Sequence, residues 1–108
     1  MTTAATFYCP HLNANITLSR SRAQHIIEQH PHTWPDFRTE IAATLANPDR
    51  IFPSKSDPEA QQFVKWFNTI RTGRYMIVIV VSQNDLDRHW IITAYTMRKL
   101  PKHKQYRT

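Results

Sequence analysis

Residues 74–82, Arg-Tyr-Met-Ile-Val-Ile-Val-Val-Ser, carry the reading that decides the fold. From Tyr75 to Val81 every side chain is apolar and most are β-branched, which is the composition of a central strand covered on both faces. A bilayer span takes about 20 such residues, so this run is far too short to be one, and nothing in the chain points to a membrane.

Reading outward, the Asn- and Asp-rich stretch Gln83–Asp87 makes a turn into a second strand, Arg88–Met97, which predicts an antiparallel hairpin. On the other side, Gly73, the only glycine, falls in the turn before the run. One glycine excludes Gly-rich phosphate loops and dinucleotide fingerprints. Further upstream, Gln62–Asn68 and Arg50–Phe52 read as strands. Before them the period changes. Ser19 is a candidate N-cap, Ala23, Ile26, Ile27 and His30 share a face, and Pro31 stops the segment, so a helix is predicted over 19–30. Its polar face holds Arg22, His25 and Gln29. Thr33, Pro35 and Asp36 predict the start of a second helix carrying Phe37, Ile41 and Leu45 and closing at Asn47-Pro48. The expectation is one α+β domain over 1–108: two N-terminal helices followed by a four-stranded, mainly antiparallel sheet. Residues 1–16 are poorly defined in this reading, and 98–108 form a basic tail.

The 108 residues carry a net charge of +6, unevenly placed. Arg20, Arg22, Arg38 and Arg50 balance Glu28, Asp36, Glu40 and Asp49 in the first half. Beyond Asp87 there is no acid, while Arg88, Arg98, Lys99, Lys102, Lys104 and Arg107 are all positive, with Tyr106 among them. A one-signed stretch of this kind attracts polyanions, and an interleaved aromatic can stack on a base, so RNA is the expected partner. The plain alternative is a solubilising tail. Cys9, the lone cysteine, fits a reducing compartment, and the cytoplasm is the expected location.

The six histidines lack metal-ligand spacing: there is no Cys pair and no HExxH, and Pro31 interrupts His30 and His32. No metal or cofactor is expected. Scattered acids do not make a glycosidase pair, and Cys9 sits in no nucleophile signature. What remains is chemistry by His, Arg, Lys, Thr and Tyr. Cleavage of RNA by its own 2′-hydroxyl needs just this: a base, an acid, and donors or cations for the phosphate. His25 beside Arg22 is the leading proton-transfer candidate, against the alternative of a solvated surface histidine. His30 reads as a helix-end residue satisfying carbonyls, and His32, His89 and His103 read as exposed. In the last strand, strict alternation sets Trp90, Ile92 and Ala94 against His89, Ile91, Thr93, Tyr95 and Met97, so packing the Trp90 face leaves Thr93 and Tyr95 open. Lys65 is a candidate for the same open face, although Phe63 and Phe67 would share it. Arg50 opens the first strand.

The order of these motifs is distinctive: His25 and His30-Pro31, then Ile41-x-x-x-Leu45-x-Asn47-Pro48-Asp49-x-Ile51, then Val64-Lys65-Trp66-Phe67, the apolar strand, and Ile92-Thr93-Ala94-Tyr95. Over about residues 18–97 it resembles the barnase, EndoU, colicin and RelE-like nucleases (the BECR fold), nearest their small phage and bacterial toxin branch. That resemblance implies a helix-helix-sheet fold, metal-independent hydrolysis of RNA, often tRNA or ribosome-associated RNA, and a toxin–antitoxin pairing with an antitoxin or immunity protein. It implies catalytic roles for His25, Lys65, Thr93 and Tyr95, with Arg22, Arg50, Arg98, Lys99, Lys102 and Lys104 binding RNA. The competing expectation is a non-catalytic RNA-binding or interaction module of the same fold.

Overall fold

The computed structural model describes residues 2–54 and 57–100. Six strands and two helices run in the order β1 (Thr3–Cys9), β2 (Ala14–Ser19), α1 (Arg20–Gln29), α2 (Arg38–Ala46), β3 (Arg50–Pro53), β4 (Ala60–Phe67), β5 (Arg74–Gln83) and β6 (Arg88–Met97), with a short 3-10 turn, Asn84–Leu86, before β6. They build one sheet in the order β1-β2-β6-β5-β4-β3. All neighbours are antiparallel except β2 and β6, which run parallel.

The expected four-stranded sheet after two N-terminal helices is therefore wrong. Within the segment assigned no element, residues 1–16, lie β1 and the first half of β2, paired as a hairpin with Phe7 opposite Ile16 and Cys9 opposite Ala14. Its pattern is true strand alternation, with Ala5, Phe7 and Cys9 buried between exposed Thr6 and Tyr8. The turn hides it, because it uses no glycine: Asn13 adopts the left-handed conformation (φ 51) that Asn tolerates better than most residues, and its N–H donates to the Pro10 carbonyl.

Both helices contribute to one core. Ala23 and Ile26 of α1 and Ile41 and Leu45 of α2 join Phe7, Ile16, Leu18, Phe63, Met76, Val78, Val80, Ile91 and Ala94. Burying a side chain such as Phe63 in full contributes about 1.5–3 kcal/mol. Trp34 closes the core edge-on to Phe7, with Arg38 over its ring. α1 has the predicted Ser19 cap, whose hydroxyl accepts from the Arg22 N–H. α2 starts later than expected, because Thr33 is buried and 33–37 closes as a turn, the Phe37 N–H donating to the Thr33 carbonyl. β5 lies at the centre of the sheet, with Met76, Ile77 and Val78 fully buried, but the expected cover on both faces is incomplete: Tyr75 and Ile79, on the face away from the helix-packed core, are only half-buried. Among the described residues no helix is long and apolar enough to cross a membrane.

Candidate functional site

The site begins at an irregularity in β6. Ile91 lies opposite Val80 and Thr93 opposite Ile79, leaving Ile92 as an extra residue, a β-bulge. One extra residue reverses the alternation downstream of it. Ile91 and Ala94 both face the core, whereas Trp90, Thr93 and Tyr95 share the other face, with Val81, Ile79 and Ile77 as their partners. The expected opposition of Trp90 to Thr93 and Tyr95 is thus corrected.

The bulge also coincides with the end of β2. The single parallel register pair, Thr17 with Trp90, puts Ser19 level with Ile92, and there the chain turns into α1. Beyond Ile92 it is α1, not β2, that lies against β6. The Arg22 side chain fastens this seam, its Nε donating to the Ile92 carbonyl at 2.8 Å. One turn on from Arg22 is His25, partly buried. At the end of the helix the His30 ring lies over Tyr95, centroids 5.1 Å apart and planes 30° inclined. Burial first, and then the neighbouring charge of His25, hold the His30 imidazole below its ordinary value. The Thr93 hydroxyl oxygen is enclosed and has no hydrogen-bond partner. Arg22, His25, His30, Thr93 and Tyr95 thus border one seam. His30, read from sequence as structural, belongs to this group. Only the parallel placement of β2 beside β6 brings it to Tyr95, and no local motif encodes that.

Other expected site residues lie elsewhere. Lys65 is opposite Met76 and so on the core-facing side of the sheet, away from Thr93 and Tyr95. Its ammonium donates to the Asn47 carbonyl at 2.9 Å and pairs with Asp49 at 3.5 Å, fixing the exit from α2. Arg50 is in the same cross-strand row as Tyr95, through Val64 and Ile77, but about 14 Å away at three strand spacings of roughly 4.8 Å. Arg98 and Lys99 are exposed just past β6, and Lys102 and Lys104 lie outside the described residues, as do His103, Tyr106 and Arg107.

His89 is not exposed as expected. It is buried, its Nδ1 2.7 Å from the Ser82 hydroxyl and its Nε2 3.3 Å from Asp87, tying together the two ends of the β5–β6 turn. His32 is exposed beside Asp36. Cys9 is fully enclosed, and burial pushes its thiol up, the opposite of an activated nucleophile. No group of three or more His, Cys, Asp and Glu side chains suited to a metal ion occurs among the described residues.

No protein-family model, curated protein or solved structure matches this chain.

Proposed function

We propose that this chain is a toxin-type, metal-independent endoribonuclease working at the α1–β6 seam. The observation that carries the reading is the pair His25 and His30, with His30 laid over Tyr95 and its proton affinity lowered by its surroundings. A histidine held neutral near pH 7 is a base for the 2′-hydroxyl, and a second histidine in its protonated form is an acid for the leaving 5′ oxygen. In the step proposed, His30 takes the 2′ proton, the 2′ oxygen bonds to phosphorus, and the bond from phosphorus to the 5′ oxygen breaks as that oxygen receives the proton of His25. The products are a 2′,3′-cyclic phosphate and a 5′-hydroxyl. Arg22 supplies donors to the phosphate as its charge builds, and Tyr95 orients His30. Arg98 and Lys99 extend the positive surface past the seam.

This reading keeps the chemistry implied by the nuclease resemblance and not its two-helix, four-strand architecture. It assigns no chemical step to Lys65. An antitoxin or immunity protein is the partner it entails, and the cytoplasm is the compartment. The test is the cleavage rate of a defined RNA hairpin with His25→Ala and His30→Ala, each checked for native circular dichroism. Either change lowers the rate by on the order of 10²- to 10⁴-fold. Unchanged rates in folded variants overturn the proposal.

A second reading, a non-catalytic RNA-binding module, draws on the aromatics outside the helix-packed core. Trp66 is 42% exposed and packs edge-on to Tyr75 on the face that also bears Tyr95. On this reading Trp66→Ala weakens RNA binding, and the histidine variants behave as the parent does.

A further inference from the structure

At the other end of the same seam a cleft of about 530 Å³ opens between β2, the start of α1 and the start of β6. Its size is within the roughly 300–1,000 Å³ usual for small-molecule sites. Two arginines reach it, Arg22 and Arg88, and neither has an acidic partner among the described residues. Arg22 is already oriented. With Nε committed to the Ile92 carbonyl, its two terminal nitrogens remain to donate, a fork matched to a phosphate. Asp87, the one carboxylate lining the cleft among the described residues, is engaged by His89. Trp90 supplies an aromatic wall, and the side-chain amides of Asn15 and Gln83 supply both donors and acceptors. Two arginines, one of them anchored, beside an aromatic and two amides suit a ligand that combines a phosphate with a flat heterocycle.

We infer that this cleft is a nucleotide subsite, in which Arg22 and Arg88 hold a phosphate, Trp90 stacks the base, and Asn15 and Gln83 meet the base edge. The inference deepens the ribonuclease reading and rests on it for taking the nucleotide to be part of an RNA strand. The strand would then run along β6, from Arg88 and Trp90 past Arg22 to Thr93, His25 and Tyr95. The cleft seats the neighbour of the nucleotide that is cut.

The experiment titrates the intact chain with a labelled 2′-O-methyl RNA hexamer, which binds but cannot be cut, and separately with adenosine monophosphate and with inorganic phosphate. Arg88→Ala, at an exposed position, weakens hexamer binding by about tenfold. It also lowers the slope of log affinity against log salt by about 0.7, the value for one phosphate contact on a single strand. Arg88→Lys restores the slope, and the monophosphate competes where inorganic phosphate at the same concentration does not. Parental affinity and slope in Arg88→Ala, together with parental affinity in Arg22→Lys, overturn the subsite even if the histidine variants abolish cleavage. Hexamer binding through Arg88 by a protein that cuts no RNA supports the subsite and instead removes the ribonuclease reading. Displacement of the hexamer by a phosphoserine peptide more readily than by the monophosphate overturns it in favour of a protein ligand.

Discussion

At the residue scale the chemistry turns on His30 and His25. His25 is visible in the sequence because Arg22 precedes it by one helical turn on a polar face. His30 is not, because its partner Tyr95 is 65 positions away and meets it only through the placement of α1 along β6. The pair has a direct signature. Removing the His25 charge in His25→Ala raises the His30 pKa towards its ordinary 6.5 without reaching it, since burial, the larger cause, remains. An NMR titration of the His30 ring reads the shift, and an unmoved midpoint contradicts the coupling. The same depression has a sign for stability: the unfolded chain binds the His30 proton more tightly than the folded one. The contribution of His30 to folding is therefore lost as pH falls from 6.5 through the lower folded-state value, and His30→Gln flattens that part of the urea-midpoint profile. Thr93 gives a complementary test. Its hydroxyl is enclosed without a partner, so Thr93→Val is neutral or stabilising by up to about 1 kcal/mol in thermal melts. A clear loss of stability contradicts an unsatisfied hydroxyl.

At the element scale the bulge at Ile92 decides which residues can act together. Every strand from β3 to β6 is legible from β-branched and aromatic runs, to within a few residues of its ends. A bulge leaves no such trace, because it changes register without changing composition, and strict alternation through Ile92 therefore misassigns one half of β6. Lys65 misleads for a different reason: its neighbours Val64 and Trp66 disclose an alternation, but not which face the helices cover. Deleting Ile92 leaves Thr93 opposite Ile79 and Tyr95 opposite Ile77 in a regular ladder and removes the carbonyl that holds Arg22, so the deletion variant is expected to keep a cooperative thermal melt while cleavage falls. Loss of the cooperative melt contradicts the register. Gly73 tests the other end of the sheet. It has φ +117, and a Cβ there would lie 2.4 Å from the Trp66 ring. Gly73→Ala destabilises by about 1–3 kcal/mol from backbone strain alone, read by chemical denaturation. Adding Trp66→Ala recovers only the part owed to the clash.

At the scale of the whole molecule, the charge asymmetry and the fold meet along one line. The neutral first half supplies β1, β2 and the two helices, and the basic second half supplies β6 with the cations Arg98 and Lys99 just past its end. Composition alone locates the positive field after Asp87. It does not show that Arg22, from the neutral half, joins Arg88 in a single cleft, since a parallel β2–β6 pairing brings them there. The N-terminal hairpin, missed for want of a glycine turn, is thus what places α1 and its histidines beside the charged strand. The chemistry proposed for that line is fixed by the ends it leaves. Purified protein is incubated with total RNA in excess chelator, and the new termini are identified. Fragments with 2′,3′-cyclic phosphate and 5′-hydroxyl ends, absent with His25→Ala and His30→Ala, are the predicted result. RNA left intact, or cut to 3′-hydroxyl and 5′-phosphate ends, contradicts it.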